Sequence, residues 1–326
     1  TRARVEAAMA RLGYQPNAAA RAMRTRTSRA IGFLIPDLGN ELFAAVARAA
    51  ERALADAGYM LFLYSSDRST DREIEFLNIA AQRGLDGLII SLGDETDARV
   101  LAALQRVQVP MAIWDRDVRI AADVVFSEHA LPMRTVTEHL LHLGHRRIAL
   151  ISAPLTIRPG RERLRGFEAA LADAPPPAPG PMVRVGVQTA DFGFEQTLDL
   201  MRAPAPPTAI IAGGNDNFRG VLRALRRLGL RVPEDVSVVG TDDGVVAEIH
   251  TPAVTTIERD MAAIGTTLAE CLLARLGPAP PDGPAHRHLD SAVRLRSSTA
   301  PPPVSPCATA SAEGTESPSP DRPRSS

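Results

Sequence analysis

The chain contains 326 residues, 45% of them hydrophobic and 23% charged, with a net charge of −1 at pH 7. This length suits two lobes with an appendage, and the balanced charge excludes a polycation that binds nucleic acid over its whole surface. Only two cysteines are present, so a disulfide framework is excluded. The first residues lack the apolar core of a signal peptide and no apolar run reaches membrane-spanning length, so we expect a cytoplasmic protein with no membrane partner.

The first 29 residues are unlike the remainder, because seven arginines and one glutamate give them a local charge of +6. The apolar pattern of residues 1–12 predicts an amphipathic helix that ends at Gly13. Pro16-Asn17 then begins an alanine-rich helix that continues to Met23. A helix of two turns is unstable alone in water, so this one should form only against a partner, which suggests a switch. A solvated basic arm is the alternative interpretation.

From Ile31 onward, short apolar runs of strand length alternate with amphipathic stretches of helix length. This alternation is typical of βαβ units, so we predict an α/β fold with parallel sheets. The pattern restarts after Phe126, which predicts two doubly wound parallel-sheet lobes with a cleft at the carboxyl ends of their strands. The segment from Pro301 onward is rich in Pro, Ser, Ala and Thr and is predicted to be disordered. The predicted helices are 42–57, 72–83, 98–107, 131–143, 161–172, 194–201 and 218–228.

Sequence motifs of enzymes and cofactor sites are absent from the chain. No G-x-G-x-x-G follows a predicted strand, and a chain without lysine has no P-loop. Neither a G-x-S-x-G nucleophile elbow nor an H-E-x-x-H zinc motif is present. His139, His142 and His145 lie three apart at a predicted helix end, where a cationic side chain favours the helix dipole, so we do not assign them to a metal. We therefore predict no catalytic residue, no metal and no cofactor, and an enzyme is the weaker interpretation.

Polar or charged residues instead stand at six junctions that follow predicted strands. Carboxylates, an amide and a guanidinium that converge on one cleft can share the hydroxyl groups of a sugar or a similar polyol. The rings of Phe43 and Trp114, near the same junctions, can stack on an apolar ring face. The alternative is that such Asp and Asn residues only cap helices. The junction residues are Asp37, Asn40, Asp115, Arg116, Ser127, Glu128, Arg163, Asn215, Asp216, Asp242 and Asp243.

Seven stretches of the chain are sequence motifs that can be compared with those of known protein families. Two lie near the C-terminal end of the predicted fold, GLRVPEDVSVVGTDD (229–243) and PAVTTIERDMAAIG (252–265). The others are ARVEAAMARLGYQPNAAARAMRT (3–25), IGFLIPDLGNELFAAVARAAE (31–51), HLLHLGHRRIALIS (139–152), RERLRGF (161–167) and PTAIIAGGND (207–216). Taken in their order along the chain, these seven stretches resemble motifs of the LacI/GalR family of transcriptional regulators. The resemblance covers about residues 1–299.

The resemblance implies a periplasmic-binding-protein-like core, preceded by the remnant of a helical DNA-binding headpiece and a hinge helix. It implies a homodimer that binds operator DNA and a small effector, with lobe closure ordering or releasing the hinge helices. The implied domains are a headpiece and hinge remnant (1–29), a first lobe (30–127 plus 259–280), a second lobe (128–258 plus 285–299) and a disordered tail (300–326).

By motif position, the resemblance implies effector contacts from both lobes, at Asn40, Phe43, Asp115, Arg163, Asn215 and Asp242. It also implies that paired hinge helices enter the minor groove, where Met23 would take the place of the family's inserted leucine. Packing of Met23 against the dimer mate is the alternative, and the nearby arginines would contact phosphates or the groove floor. The implied DNA-binding residues are Asn17, Arg21, Met23, Arg24 and Arg26.

Two features depart from the family pattern. Thr1 falls inside what would be the third headpiece helix, so we expect the helix-turn-helix to be largely missing and DNA binding to be weak and salt-sensitive at most. Ser127-Glu128 stands where the family usually has Asp-Asn.

We predict an effector-responsive transcriptional regulator. A stand-alone solute-binding protein of the same fold is the alternative, and an α/β enzyme with cleft carboxylates is a weaker one.

Overall fold

The computed structural model describes residues 27–176, 180–242 and 244–303, together with Arg11. The predicted apolar runs form strands, and three further strands follow the last of them. The strands are β1 Ala30–Ile35, β2 Met60–Ser65, β3 Gly87–Ile90, β4 Met111–Trp114, β5 Asp123–Ser127, β6 Ile148–Ser152, β7 Met182–Val185, β8 Ala209–Gly213, β9 Ser237–Thr241, β10 Thr255–Arg259, β11 His286–Leu289 and β12 Ser291–Arg294.

The strands form two six-stranded sheets, one in each lobe. The first sheet has the order β11-β5-β4-β3-β1-β2, and all of its neighbouring strands are parallel. The second sheet has the order β12-β10-β9-β8-β6-β7, and only the β10–β12 pair is antiparallel. This arrangement confirms the predicted α/β fold with two parallel-sheet lobes.

Helices cover both faces of each sheet, which makes both lobes doubly wound. They are α1 Glu41–Asp56, α2 Thr70–Arg83, α3 Ala98–Gln105, α4 Ala130–His142, α5 Arg158–Ala172, α6 Ala190–Arg202, α7 Asn215–Leu228, α8 Val245–Ile249 and α9 Met261–Leu276. In the first lobe α1 and α9 cover one face and α2 and α3 the other. In the second lobe α6 and α7 cover one face and α4 and α5 the other. No helix in the described part of the chain has the length and apolar character needed to cross a bilayer.

Most helices begin earlier than their apolar patterns predict, because their first turns are polar. The side chains of Asn40, Ser69 and Thr189 accept hydrogen bonds from backbone N–H groups of α1, α2 and α6. α7 begins at Asn215, directly after β8, rather than at residue 218. This early start places its first polar residues at the carboxyl end of the sheet.

The chain passes between the lobes three times, and each crossing is short. Residues 128–129 join β5 to α4, Asp260 joins β10 to α9, and Asp290 alone separates β11 from β12. Two hydrogen bonds tie two of these crossings together. Glu128 N donates to Leu289 O at 2.9 Å, and Ser291 Oγ donates to Glu128 O at 2.6 Å.

Two boundaries differ from the implied domains. Residues 285–299 were assigned to the second lobe, but His286–Leu289 pairs with β5 of the first sheet, so this segment divides at Asp290. The tail was expected to be disordered from residue 300, but Ala300 exchanges two hydrogen bonds with Ser237 and its carbonyl oxygen lies 2.8 Å from His145 Nε2. Residues 304–326 and the predicted headpiece and hinge helices lie outside the described residues.

Candidate effector-binding cleft

One cleft between the lobes collects every residue that was predicted to contact the effector. Its space is about 450 Å³, including the part that is open to solvent. The first lobe contributes residues that follow β1 and β4, and the second lobe contributes residues that follow β6, β8 and β9. The six predicted residues that line it are Asn40, Phe43, Asp115, Arg163, Asn215 and Asp242.

Two aspartates at equivalent strand ends have unusual backbone conformations. Asp115 follows β4 with φ 55°, and Asp242 follows β9 with φ 70°. This left-handed region is uncommon for residues other than glycine and costs energy that the surroundings must supply. Each backbone N–H donates to a neighbouring strand, Asp115 to Val125 O at 2.9 Å and Asp242 to Ile257 O at 2.7 Å. The continued sheet hydrogen bonding therefore fixes both carboxylates at the cleft.

Arg259, at the end of β10, connects these two carboxylates across the lobes. Its Nε donates to Asp242 Oδ1 at 2.6 Å, and its Nη1 lies 3.4 Å from Asp115 Oδ2. Burial would raise the pKa of Asp242, but Arg259 and, more weakly, Arg163 outweigh it and hold the pKa below its usual range. Burial also opposes the charge on Arg259, but the two carboxylates raise its pKa overall. Asp242 and Arg259 are therefore both ionised at neutral pH.

Asp115 has further partners on both of its carboxylate oxygens. Its Oδ1 accepts from Ser127 N at 2.9 Å and from Arg158 Nη1 at 3.0 Å, and its Oδ2 lies 2.8 Å from His129 Nε2. Burial opposes ionisation of this carboxyl, but His129, Arg259 and the Ser127 N–H hold its pKa well below the usual range. Burial lowers the pKa of His129, so the ring is neutral and donates to Asp115.

Two other buried guanidiniums, Arg116 and Arg163, donate to carbonyl oxygens. Arg116 donates from Nε to Leu92 O at 2.6 Å and from Nη1 to Asp115 O at 2.9 Å. Arg163 donates from Nη1 to Gly213 O at 2.8 Å, and its Nη2 lies 4.0 Å from Asp242 Oδ2. Burial lowers the pKa of Arg163 to about 10, so this group stays charged near pH 7. Burial also lowers the pKa of Arg116, and a guanidinium is not normally deprotonated in a protein.

An amide pair joins the two lobes beside these charges. Asn40 Nδ2 donates to Asn215 Oδ1, and Asn215 Nδ2 donates to Asn40 Oδ1, both at 3.1 Å. Asn40 Oδ1 also accepts from Leu42 N at 3.0 Å, so this residue both caps α1 and contacts the opposite lobe. Asn40 therefore caps α1 and also lines the cleft.

Phe43 and Trp114 form the aromatic part of the cleft wall. Their ring centroids lie 5.2 Å apart at an interplanar angle of 73°, an edge-to-face contact. Trp114 is the only tryptophan in the chain, and its buried Nε1 has no hydrogen-bond partner among the described residues. An indole N–H is a donor only, so a ligand oxygen is the kind of partner that fits it.

Comparisons with known proteins identify the family. A family model described as a periplasmic binding protein-like domain matches residues 137–299. The HTH-type transcriptional repressor PurR of Escherichia coli is 30% identical over 279 residues, which cover 85% of this chain and 82% of PurR. A LacI family transcriptional regulator from Enterococcus faecium with bound ribose is 27% identical at a TM-score of 0.73, covering 83% of this chain and 99% of that one. The chain belongs to the LacI/GalR family.

Other LacI/GalR-type structures have the same two-lobed form. The Lac repressor bound to ONPG in the repressed state has a TM-score of 0.78 and 29% identity, covering 91% of this chain and 90% of that one. The regulator CelR in complex with cellobiose has a TM-score of 0.75 and 28% identity, covering 90% and 89%. Since these relatives are transcriptional regulators, the present LacI/GalR member is an effector-binding regulator and not an enzyme.

Two residues that hold the cleft carboxylates of this LacI/GalR member were not predicted. Arg259 and His129 were missed, although Arg259 stands at a strand end as the predicted residues do. Ser127-Glu128, the departure from the family pattern, serves local structure. Ser127 N donates to Asp115, and Glu128 Oε1 accepts from two N–H groups at the start of α4.

The predicted DNA-binding residues Asn17, Arg21, Met23, Arg24 and Arg26 all lie outside the described residues.

The three histidines of the α4 end bind separate partners. His139 Nε2 lies 3.0 Å from Thr299 Oγ1, His142 Nδ1 lies 2.7 Å from Glu138 O, and His145 Nδ1 lies 2.8 Å from Thr208 Oγ1. Within the described residues, no group of three potential ligands could hold a metal ion.

Proposed function

We propose that the chain is a regulator that binds a sugar or a related polyol in the cleft between its lobes. The observation that carries this proposal is the convergence of buried carboxylates, amides and guanidiniums from both lobes on one cleft. Such groups supply donors and acceptors for several hydroxyls at once. The ribose bound to the Enterococcus faecium regulator and the cellobiose bound to CelR support the same class of ligand.

The aromatic wall supplies the second requirement of a sugar site. The ring of Trp114 or Phe43 can cover the apolar face of a pyranose or furanose, which carries C–H groups on that side. The unpartnered Trp114 Nε1 then donates to a hydroxyl at the ring edge. A polyol thus satisfies a buried donor that the protein alone leaves unsatisfied.

A ligand that binds between the lobes favours the arrangement in which the two lobes are closed. Contacts across the cleft include the Asn40–Asn215 amide pair and Arg68 Nη2, which donates to Gln188 O at 2.8 Å. A ligand that contacts both lobes adds to these contacts only when the lobes are closed. It therefore shifts the equilibrium by its differential affinity for the two states.

The coupling to DNA would pass through the segment that enters β1. Ser28 N and Arg29 N donate to the two carboxylate oxygens of Asp86 at 2.8 and 2.9 Å, and Ser28 Oγ donates to Oδ1 at 2.8 Å. These bonds fix the base of the predicted hinge segment to the first lobe. Lobe closure would thereby move the hinge segments of a homodimer relative to each other, and so change binding of operator DNA by residues 17–26.

The homodimer is supported by exposed apolar side chains on the edge strand of the first sheet. Met60, Phe62 and Leu63 of β2 are 64%, 49% and 41% exposed. An exposed apolar edge strand is a surface that proteins normally cover. A second copy of the chain is the partner that we propose for it.

A fluorescence titration tests the ligand site. Because Trp114 is the only tryptophan and lines the cleft, intrinsic fluorescence reports the site directly. D-ribose, cellobiose and other polyols should change the emission saturably, and Asp242→Asn should abolish the change. Asp199→Asn, on the exposed surface of α6, is the control that should bind normally. If no polyol changes the emission, the polyol site is refuted.

Fluorescence anisotropy with a duplex selected from a random pool tests the coupling. An active sugar should change the affinity of the full-length protein for that duplex. A sugar that binds without any change in DNA affinity would favour the alternative, a stand-alone solute-binding protein.

A further inference from the structure

Arg116 and Arg163 donate no hydrogen bond to a carboxylate of the described residues. Within the described part of the chain their hydrogen bonds go to carbonyl oxygens, and Arg163 has a long ion pair with Asp242 Oδ2 at 4.0 Å, beyond hydrogen-bonding distance. Both side chains are 4% exposed, so bulk water does little to solvate their charge. Burial of a guanidinium without a direct counter-ion is costly, and such groups are normally paired.

The nearby carboxylates are occupied by other partners. Asp115 and Asp242 bind Arg259, and Asp115 also binds Arg158 and His129. Glu95, Asp115 and Glu73 favour the charged form of Arg116 without accepting a side-chain hydrogen bond from it. Glu95 already forms an ion pair with Arg161 of the second lobe, and burial raises the pKa of Glu73 to about 7, so Glu73 is only partly ionised.

The charge count of the cleft is therefore positive. Its lining contains three guanidiniums, Arg116, Arg163 and Arg259, and two carboxylates, Asp115 and Asp242. Burial is the main cause of the lowered pKa of Arg163; Asp242 and Asp115 raise that pKa, and repulsion by Arg259 and Arg116 opposes their effect. An anion in this space would relieve that repulsion.

The two guanidiniums also belong to different lobes. Arg116 follows β4 in the first lobe and Arg163 lies on α5 in the second. No described residue accepts a hydrogen bond from Arg116 Nη2 or from Arg163 Nε and Nη2, so each guanidinium can donate to an oxyanion. An oxyanion can contact both groups only when the lobes are closed.

We infer that the preferred effector is a polyol with a carboxylate or phosphate group, which binds between Arg116 and Arg163 and is held more tightly than a neutral sugar of the same shape. This inference rests on the proposed polyol site and specifies its ligand class. The anionic group replaces the missing counter-ion, while the hydroxyls use the amides and carboxylates of the same cleft. It also favours closure, because it offsets a repulsion that increases as the two lobes approach.

Matched pairs of probes test the inference on the full chain. D-glucuronate is compared with D-glucuronamide, D-ribose 5-phosphate with D-ribose, and inorganic phosphate with chloride at equal ionic strength. Trp114 fluorescence gives Kd for each probe, and thermal unfolding gives an independent shift in Tm. Charge-assisted hydrogen bonds from buried guanidiniums should make the anion of at least one pair bind roughly ten- to a hundredfold tighter. Comparison of the glucuronate pair with the ribose 5-phosphate pair shows whether the site prefers a carboxylate or a phosphate.

Substitutions of Arg116 and Arg163 distinguish the effect of the guanidinium charge on binding from the effect of side-chain packing. Arg163→Gln and Arg116→Gln should remove the preference for the anion, whereas Arg163→Lys should retain part of it. Arg165→Gln is the matched control, because Arg165 lies on the same helix, is 67% exposed and pairs with Glu162. It should leave both members of each pair unchanged.

Three results would overturn the inference. Neutral members that bind as tightly as the anions would refute it and leave the proposed polyol site intact. A preference for the anion that survives both glutamine variants would place the anion elsewhere. If no probe binds at all, both the inference and the proposed function fail.

Discussion

Replacement of Arg259 by methionine should destabilise the protein strongly. The side chains of Arg259, Asp242 and Asp115 are 8%, 3% and 2% exposed, so water cannot replace the lost guanidinium. After the change, Asp242 retains only Arg163 at 4.0 Å, while Asp115 retains His129 and Arg158. Removal of one partner from a buried ion pair typically costs about 3–5 kcal/mol, and we expect a loss in this range.

Urea denaturation at pH 7.5 measures this loss, with all variants at one protein concentration because association would contribute to stability. Asp242→Asn combined with Arg259→Met should recover at least about half of the loss, since the stranded charge is then removed as well. Arg231→Met is the control, because Arg231 forms an exposed pair with Asp235 and should cause no measurable change. A loss below about 1 kcal/mol, or no recovery in the double variant, would refute the reasoning.

Three further predictions concern stability and binding. The pKa of Glu73 is raised from 4.5 to about 7, so its contribution to stability is complete below pH 4.5 and is lost as pH rises through 7. Glu73→Gln should therefore increase the free energy of unfolding at pH 8 by up to about 3 kcal/mol and change it little at pH 5, and an equal gain at both values would contradict this. In Gly265→Ala the new Cβ would lie 2.3 Å from Val46 O, so urea denaturation should show a loss of about 1–3 kcal/mol. Gly180→Ala, where no atom lies within 4 Å, should be neutral, and similar losses for both variants would argue against the close helix contact. Trp114→Phe should reduce effector affinity about tenfold by calorimetry, because it removes an N–H that the protein does not bond and that the ligand is proposed to use. It should also lower Tm, because Trp114 is 3% exposed and the smaller ring leaves a cavity. An unchanged affinity would argue against a ligand hydrogen bond at Nε1.

Much of the fold could be predicted because buried parallel strands are continuous apolar runs. β3, β4, β6 and β8 are buried along their full length, and their sequences show it. β11 could not be found in this way, because His286–Leu289 is an edge strand whose first three residues are exposed. Its sequence, HRHL, carries no apolar pattern, and only its pairing with β5 defines it as a strand.

The candidate site could be predicted in part because strand-end polar residues are visible in the sequence. Asp115 and Asp242 directly follow apolar strands, so their position at the cleft follows from the rule for parallel sheets. Arg259 and His129 depend instead on the crossings between lobes. Arg259 ends a strand of the second sheet yet contacts Asp115 of the first lobe, and local sequence does not encode that proximity.

The three short crossings limit how the lobes can move. A single peptide segment would let one lobe swing, twist and slide freely against the other. Three parallel connections of one or two residues, at residues 128–129, Asp260 and Asp290, restrict sliding and twisting and favour a hinge rotation. We expect this rotation to dominate the opening of the cleft. One distance between two spin labels on opposite lips of the cleft, measured with and without effector, would therefore define the state of the whole core.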